Sequence, residues 1–334
     1  MTKVSAQDVK DIYIDPQVEP ILERMLGVMA ERGPVGSVPP PQMRERFNQD
    51  VSGWNLDLPD IHHTEDFLVK TDAGDIPVRL YDPIERTVEL PCLVFIHGGG
   101  WVVGDLDTNE RTMRLLAIQS GIRILSLDYP LAPENKFPAG LDACVAVTRW
   151  LHENARDWGI DPDRLAIGGD SAGGNLALAT ALDLRNANQN WLKLGLMIYP
   201  ALSPHADTDS HQSFGQGEFG LGTDAMHYFW GQYLQDESQK NDPRAVPLLA
   251  DMQSMPAIYI VTGGLDALTD DSRALEQKLQ QSGIEVTHRH YPGMIHGFFS
   301  MALFLEVGQE AVIEASAALA DTLNSPMAAM TEQK

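Results

Sequence analysis

The feature that most constrains the fold is a glycine-rich turn around Ser171, set between an apolar run and an alanine- and leucine-rich stretch. The apolar residues 165–167 predict a buried central strand, and residues 175–179 begin a helix. Gly169 and Gly173 flank the serine in a G-x-S-x-G pattern. In so tight a turn, side chains two residues before and after the serine would clash. The pattern therefore predicts a strained serine whose hydroxyl projects above the edge of a sheet.

Ser171 is a candidate nucleophile, because the helix after it would direct its N-terminal amides and positive dipole end at whatever the hydroxyl attacks. The same pattern also occurs in ordinary strand-to-helix turns with a solvated serine. The catalytic interpretation therefore depends on partner residues elsewhere in the chain.

Strand and helix patterns alternate from residue 65 onward, which predicts a mostly parallel sheet with helices on both faces, the α/β class. An opening hairpin at residues 67–81 predicts an antiparallel edge. Later strands are predicted at residues 92–96, 123–127, 165–167, 194–199, 257–262 and 285–291. Helices are predicted at residues 109–119, 141–155, 175–187, 272–281 and 311–323.

Two segments stand outside this alternation. Residues 1–50 combine helical spacing with proline-rich breaks, and residues 203–250 form an insert too long for a bare connection, so we expect helices in both. Together they predict a helical cap above the strand ends. The main α/β domain then consists of residues 51–202 and 251–334.

The charge balance excludes several classes of partner. With 24 basic and 47 acidic residues the net charge is −23, so that nucleic acid and anionic membranes should repel the chain. The sequence has no apolar run of membrane-spanning length and no signal-peptide core. Cys92 and Cys144 lie in apolar surroundings, where we expect free buried thiols. These features predict a cytoplasmic protein without stable membrane insertion.

A second glycine-rich segment, the glycine loop (residues 97–101), follows the predicted strand at residues 92–96. Consecutive glycines leave their backbone amides open to close approach by a substrate. We expect the amides of Gly99, Gly100 and Ala172 to form an oxyanion hole. A flexible glycine turn without a binding role is the alternative.

Four neighbours of these groups have supporting roles in this interpretation. Gly98 supplies the turn, and His97 fixes the shape of the glycine loop. Trp101 and Asp170 adjoin the site and are expected to contribute packing or scaffold rather than chemistry.

A nucleophilic serine needs an acid and a histidine, which this architecture supplies in the order serine, acid, histidine. Asp266 lies just past the predicted strand at residues 257–262, and His296 lies on the loop after the next strand. Asp270 and Asp271 are rivals for the acid, but we expect each to cap the following helix.

Ten histidines occur in the chain, and most histidines in proteins are structural. His288 and His290 alternate on the strand before His296, so that both should lie within the sheet rather than at its end. Only His296 has the setting that the chemistry needs.

These motifs together resemble the hormone-sensitive-lipase-like family of α/β hydrolases, of the bacterial esterase type. The similarity covers most of residues 65–325. The segment DYPLAPE at residues 128–134 is similar to the family's Y-R-L-A-P-E, with Pro130 where arginine is common. The other matching segments are HGGGW at residues 97–101, GDSAGG at 169–174, DALTD at 266–270 and HGF at 296–298.

The resemblance implies an α/β-hydrolase fold and a serine carboxylesterase for small to medium acyl esters. Ser171 would be the nucleophile, His296 the base and then the acid, and Asp266 the orienting carboxylate. The partner would be a small-molecule ester, and the chemistry needs no metal or organic cofactor. The resemblance also implies the helical cap and allows a homodimer.

Other functions remain open at this point. An amidase, a lactonase or an acyltransferase would use the same acyl-enzyme route. A non-catalytic ligand receptor on the same fold is an alternative from another class, although it would not need Ser171, Asp266 and His296 together. A peptidase of the prolyl-oligopeptidase type would require a larger N-terminal domain.

Overall fold

The computed structural model describes residues 12–324, which are organised around one eight-stranded sheet. The strands are β1 (His63–Thr71), β2 (Gly74–Asp82), β3 (Leu90–Ile96), β4 (Arg123–Leu127), β5 (Ile160–Asp170), β6 (Leu192–Ile198), β7 (Ala257–Leu265) and β8 (Val286–Ile295). They lie in the order β1-β2-β4-β3-β5-β6-β7-β8. Strand β2 pairs antiparallel with β1 and with β4, and the other pairs are parallel. The predicted parallel sheet with an antiparallel edge is confirmed.

The described helices are α1 (Glu19–Arg32), α2 (Pro40–Val51), α3 (Glu110–Ser120), α4 (Ala139–Asn154), α5 (Ala172–Asn186), α6 (Asp209–Phe214), α7 (Thr223–Tyr233), α8 (Thr269–Gln281) and α9 (Glu306–Asn324). Helices α4, α5 and α8 pack on one face of the sheet, and α3 and α9 pack on the other. Within residues 12–324, no helix combines the length and apolar character that a membrane span requires.

The core is split by the sheet because neighbouring residues of a strand face opposite ways. Val94 and Ile167 belong to the layer under α4 and α5, whereas Leu93 and Ala166 belong to the layer under α3 and α9. All four side chains are fully buried. Covering both faces explains why these strands read as continuous apolar runs rather than as alternating ones.

Strand β8 runs four residues past its predicted end at Tyr291. Pro292 and Gly293 are ordinarily strand terminators, but here they lie in an irregularity between the Gly263–Tyr291 and Leu265–Ile295 pairs. Gly293 takes a φ of 78° there. The irregularity brings the end of β8 back into the sheet next to β7 and so fixes where the following loop begins.

The segments predicted to form a cap are helical where they are described. Helices α6 and α7, with two short 3₁₀ turns, occupy the insert, so the expectation that it holds helices of its own is confirmed. The Tyr228 hydroxyl of α7 lies 3.4 Å from the Met43 sulfur of α2, and Arg32 of α1 pairs with Asp50 of α2 at 2.7 Å. Of the predicted segments, residues 1–11 and 325–334 lie outside the described residues.

Candidate active site

Ser171 lies in the tight turn between β5 and α5, with φ 54° and ψ −119°. Residues other than glycine rarely adopt this left-handed backbone conformation, so the turn is strained at the serine. A Cβ on Gly173 would collide with the carbonyl oxygens of Ile96 and His97, and one on Gly169 would lie 2.5 Å from that of Ile96. The two glycines therefore allow β3 to pass directly beneath the turn.

The structure brings Ser171, Asp266 and His296 together at the carboxyl ends of β5, β7 and β8, respectively. His296 Nε2 lies 3.0 Å from Ser171 Oγ, and its Nδ1 lies 2.7 Å from Asp266 Oδ2. These distances are within hydrogen-bond range at both ring nitrogens. With the acidic partner at Nδ1, the neutral ring keeps its proton there and leaves Nε2 free to accept from the serine hydroxyl.

Asp266 is held in place by hydrogen bonds within its own loop, in addition to its contact with the histidine. Its side chain is fully buried, and its Oδ1 accepts a 2.9 Å hydrogen bond from the Leu268 amide. The turn itself is held by the Thr269 hydroxyl, which donates to the carbonyl oxygens of Gly263 and Asp266. The carboxylate is therefore oriented toward the imidazole by backbone and side chains of its own loop.

Asp270 and Asp271 do not cap α8, contrary to the sequence prediction. Both lie inside the first turn, since the helix begins at Thr269, three residues earlier than predicted. Asp271 instead accepts from the amides of Leu202 and Ser203 at 2.7 and 3.0 Å, while Asp270 accepts from the Ser210 amide at 2.8 Å. Burial raises the pKa of Asp271 to about 7.

The amides of Gly99 and Gly100 face the cavity because the carbonyls of their peptide units are held on the opposite side. The Gly98 carbonyl, which shares a peptide unit with the Gly99 N–H, lies 2.7 Å from His97 Nδ1. The Gly99 carbonyl, which shares one with the Gly100 N–H, accepts from the amides of Val102 and Val103 at 3.1 and 3.0 Å. In a trans peptide the C=O and N–H point in opposite directions. Both amides therefore point away from these bonds, and both residues line the same cavity as Ser171.

None of the hydrogen bonds among residues 12–324 uses the amide of Gly99, Gly100 or Ala172 as a donor. The Ala172 amide begins α5, where the first N–H groups have no partner within the helix. All three residues line the same cavity as Ser171 and His296. The arrangement offers three backbone donors to a negative oxygen bound next to the serine.

Asp170 also lines the cavity, but its carboxylate supports the glycine loop. Its Oδ1 accepts from the Gly98 amide at 2.9 Å and from the Asn109 side chain at 2.8 Å. Burial raises the pKa of this carboxyl, and the hydrogen bond from Gly98 opposes that rise. Asn109 is held in turn by the Ser300 hydroxyl at 2.8 Å. The sequence analysis missed Asn109 and Ser300, and no motif marks either residue.

His97 and Trp101 pack at the two ends of the glycine loop. The His97 ring stacks on Tyr129 with centroids 4.5 Å apart, and its Nε2 lies 3.7 Å from Asp128. Trp101, at φ 61°, stacks on Tyr233 of the insert with centroids 4.5 Å apart. Both side chains are buried. Their contacts hold the glycine loop in place, and Trp101 also lines the cavity.

The cavity above Ser171 has a volume of about 330 Å³ and lies between the strand ends and the helices of the cap segments. Asp50 and Arg24 are charged residues at its wall, and Asp50 is paired with Arg32. Within residues 12–324, no group of three or more His, Cys, Asp or Glu is arranged to hold a metal ion. The apolar wall consists of Met25, Val28, Met29, Phe47, Val51, Trp54, Leu221, Met226 and Phe229.

Comparison with known proteins gives the same class as the fold. The sequence profile of a family described as alpha/beta hydrolase fold matches residues 93–300. The acetyl esterase of Salmonella paratyphi B is 31% identical over 261 residues, which cover 78% of this chain and 80% of that protein. The carboxylic ester hydrolase LipN of Mycobacterium tuberculosis is 38% identical over 256 residues, 73% of this chain and 66% of LipN.

Solved structures are also similar over nearly the whole chain. An ester hydrolase from the metagenome of Lake Arreo, complexed with a bipyridine phosphonate derivative, has a TM-score of 0.89 and 33% identity. The match covers 94% of this chain and 100% of that one. Fold, profile and neighbours thus define an α/β hydrolase. More narrowly, the chain belongs to the hormone-sensitive-lipase-like family of these enzymes, as its motifs predicted.

Proposed function

We propose that the protein is a serine carboxylesterase for small to medium acyl esters, with Ser171, His296 and Asp266 as its catalytic triad. The observation that carries the proposal is the position of His296, within hydrogen-bond distance of the serine hydroxyl on one side and of the buried carboxylate on the other. This is the arrangement that turns a weakly nucleophilic hydroxyl into an acyl acceptor.

In the first half of the reaction, Ser171 attacks the ester carbonyl while His296 Nε2 takes the hydroxyl proton. Asp266 remains ionised and stabilises the imidazolium that forms. The carbonyl oxygen becomes an oxyanion, which the amides of Gly99, Gly100 and Ala172 stabilise. His296 then gives its proton to the leaving alcohol, and the acyl group remains on the serine.

In the second half, water takes the place of the alcohol. His296 accepts a proton from the water as it attacks the acyl carbonyl, and the same amides hold the second oxyanion. When this intermediate collapses, His296 returns the proton to Ser171 and the carboxylic acid is released. In each half His296 takes up one proton and gives one up, so the two halves balance without a cofactor.

The size and polarity of the cavity support small to medium acyl groups. A volume of about 330 Å³ is at the lower end of the range for small-molecule pockets, and most of the wall residues are apolar. The related proteins named acetyl esterase and carboxylic ester hydrolase agree with ester substrates. We further propose that residues 1–50 and 203–250 form the cap that shapes this cavity, over a catalytic domain of residues 51–202 and 251–334.

A cytoplasmic location is part of the same proposal. Cys92 and Cys144 are both free and buried, and burial raises the pKa of both thiols. Free thiols are the usual state in a reducing compartment. The net charge of −23 disfavours nucleic acid as a partner. The homodimer that the family resemblance allows stays a prediction.

The test is turnover of p-nitrophenyl esters of increasing acyl length by the wild type and by Ser171→Ala, with p-nitroanilides of the same acyl groups alongside. We expect rapid release of p-nitrophenol from short and medium esters, slow or no anilide cleavage, and loss of about 10⁴-fold or more in the variant. Preferred cleavage of the anilides would instead identify an amidase. No turnover of any substrate, together with tight ligand binding, would indicate a receptor.

A further inference from the structure

We infer that Arg44, on cap helix α2, is a positioning residue for the oxyanion hole and acts through two peptide units on the amide of Gly100. We call this connection the Arg44 relay; it consists of Arg44, the Val102–Val103 peptide and the Gly99–Gly100 peptide. The inference rests on the proposed esterase function, because its effect is on stabilisation of the oxyanion. The N-terminal segment would then help to stabilise the oxyanion as well as cover the cavity.

The first link of the relay is made by the guanidinium itself. Arg44 Nε donates to the carbonyl of Val102 at 2.8 Å, and its Nη2 donates to the carbonyl of Ala132 at 3.0 Å. The side chain of Glu134 accepts from the other edge of the guanidinium at 2.5 and 3.0 Å. The planar fork is therefore held on two sides, which fixes the direction of the Nε–H.

The second link follows from peptide planarity. The Val102 carbonyl that accepts from Arg44 belongs to the same trans peptide as the Val103 N–H, which donates to the Gly99 carbonyl at 3.0 Å. That carbonyl in turn shares a peptide with the Gly100 N–H, and Gly100 lines the same cavity as Ser171. Donor and acceptor point in opposite directions in each unit, so the bonds run in one sense from Arg44 to the oxyanion.

Hydrogen bonds aligned in this way polarise one another, and a bond from a charged donor is stronger than a neutral one. The cation at the start of the relay thus makes the Gly100 N–H a better donor at its end. It also restrains a loop whose glycines, Gly99 at φ 108° and Gly100 at φ 58°, could otherwise rotate freely. Val102 and Ala132 are buried, and the guanidinium satisfies their carbonyls as a buried acceptor requires.

Asn48 offers a matched control on the same helix. Its side-chain amide donates to Asp105 at 2.7 Å, in an exposed bond that also ties α2 to the segment after the glycine loop. Asn48 neither lines the cavity nor contacts the relay. Asn48→Ala therefore loosens the helix without removing a bond to Val102.

The experiment compares the wild type, Arg44→Gln, Arg44→Lys and Asn48→Ala on a short p-nitrophenyl ester. It also measures inhibition by an alkyl trifluoromethyl ketone, which adds to a serine and forms a tetrahedral oxyanion. We expect Arg44→Gln to lower kcat and the affinity for the ketone in parallel, by about tenfold, less than the roughly 100-fold that follows deletion of a donor. KM should stay within about twofold, because the substrate carbonyl carries little charge before attack.

Arg44→Lys keeps the charge and can reach one of the two carbonyls, so it should lie between the wild type and Arg44→Gln, and it remains informative if the glutamine variant does not fold. Asn48→Ala should match the wild type in kcat and in ketone affinity. An unchanged kcat in both Arg44 variants would overturn the relay, as would an equal loss in Asn48→Ala. If the wild type itself shows no Ser171-dependent turnover, the proposed function fails rather than the relay alone.

Discussion

The two halves of the site are positioned in different ways. Ser171, Asp266 and His296 follow directly after strands β5, β7 and β8, whose order in the sheet brings them to one edge. The glycine loop follows β3, but its peptides are oriented by side chains from other segments, including Asp170 and Arg44. The proposed triad is thus placed by the sheet, and the proposed oxyanion donors are placed by individual hydrogen bonds.

This difference predicts different responses to substitution. In the proposed mechanism Ser171 gives up a proton, His296 transfers it and Asp266 stabilises the imidazolium, so that no neighbour can compensate for the loss of the serine or the histidine. The glycine loop is held by several independent bonds, and the loss of one should weaken the oxyanion hole without abolishing it. The predictions below test this contrast, in order of decreasing effect.

His296→Ala should reduce ester turnover by about 10⁴-fold or more, because the Ser171 hydroxyl makes no other side-chain hydrogen bond within residues 12–324. His288→Ala is the matched control, since His288 lies in the same strand region but contacts Glu276 and Thr262 instead. It should retain wild-type turnover. Equal loss in both variants, with both folded by circular dichroism, would contradict the assignment of the histidine.

Asp170→Ala should lower kcat by roughly 10- to 100-fold, because it releases the Gly98 amide and the Asn109 side chain together. KM should change little, since the hydrogen bonds among Ser171, His296 and Asp266 are kept. Asp170→Asn keeps an acceptor and should recover most of the activity. An equal loss in Asp170→Asn would show that the acceptor at this position does not support the glycine loop.

The same contrast explains what could be predicted from the sequence. Strand ends carry local signals, namely apolar runs and glycine turns, and parallel topology then brings them together, so Ser171, Asp266 and His296 were found as a group. The supports of the glycine loop carry no such signal. Asn109 lies 61 residues from Asp170, and Arg44 lies 58 residues from Val102. A single long-range hydrogen bond leaves no periodicity in a sequence.

The misplaced roles of Asp270 and Asp271 have a related cause. Acidic residues before an apolar helix are typical N-caps, and the sequence predicts them as such. The helix instead begins at Thr269, and both carboxylates accept from amides of the chain leaving β6 for the insert. Local preference was overridden by contacts with a segment far away in sequence, 69 residues for Leu202 and Asp271 and 60 for Ser210 and Asp270.

Phe229→Ala should change substrate preference more than it changes the chemistry. The Phe229 ring of α7 lies so close to Gly100 that a Cβ on that glycine would collide with it. Removing the ring enlarges the cavity beside the glycine loop, so longer acyl chains should gain several-fold in kcat/KM relative to acetyl, on the order of 1 kcal/mol. His227→Ala, an exposed position on the same helix, should keep the wild-type profile. An unchanged preference in Phe229→Ala would place the acyl chain elsewhere.

Asp271→Asn should change turnover least of all these substitutions, but it should change the pH dependence of stability measurably. Its pKa is raised from 3.8 to about 7, so the folded protein binds a proton more tightly than the unfolded chain does. The contribution of this group to the free energy of unfolding is therefore greatest below about pH 4 and is lost as the pH rises to about 7.

The measurement is urea unfolding of the wild type and of Asp271→Asn between pH 5 and pH 8. Relative to the variant, the wild type should lose stability as the pH rises through this range. A constant difference between the two proteins would mean that Asp271 does not titrate in this range, and would contradict a pKa raised by burial.

The most direct test of the triad and oxyanion hole is covalent labelling with a p-nitrophenyl phosphonate, followed by peptide mass spectrometry. We predict one adduct per chain, on Ser171, with release of one p-nitrophenol and loss of esterase activity in proportion to labelling. The His296→Ala variant should label far more slowly under the same conditions. Esterase activity that persists after Ser171 is fully labelled, or inactivation by an adduct on another residue, would contradict the account.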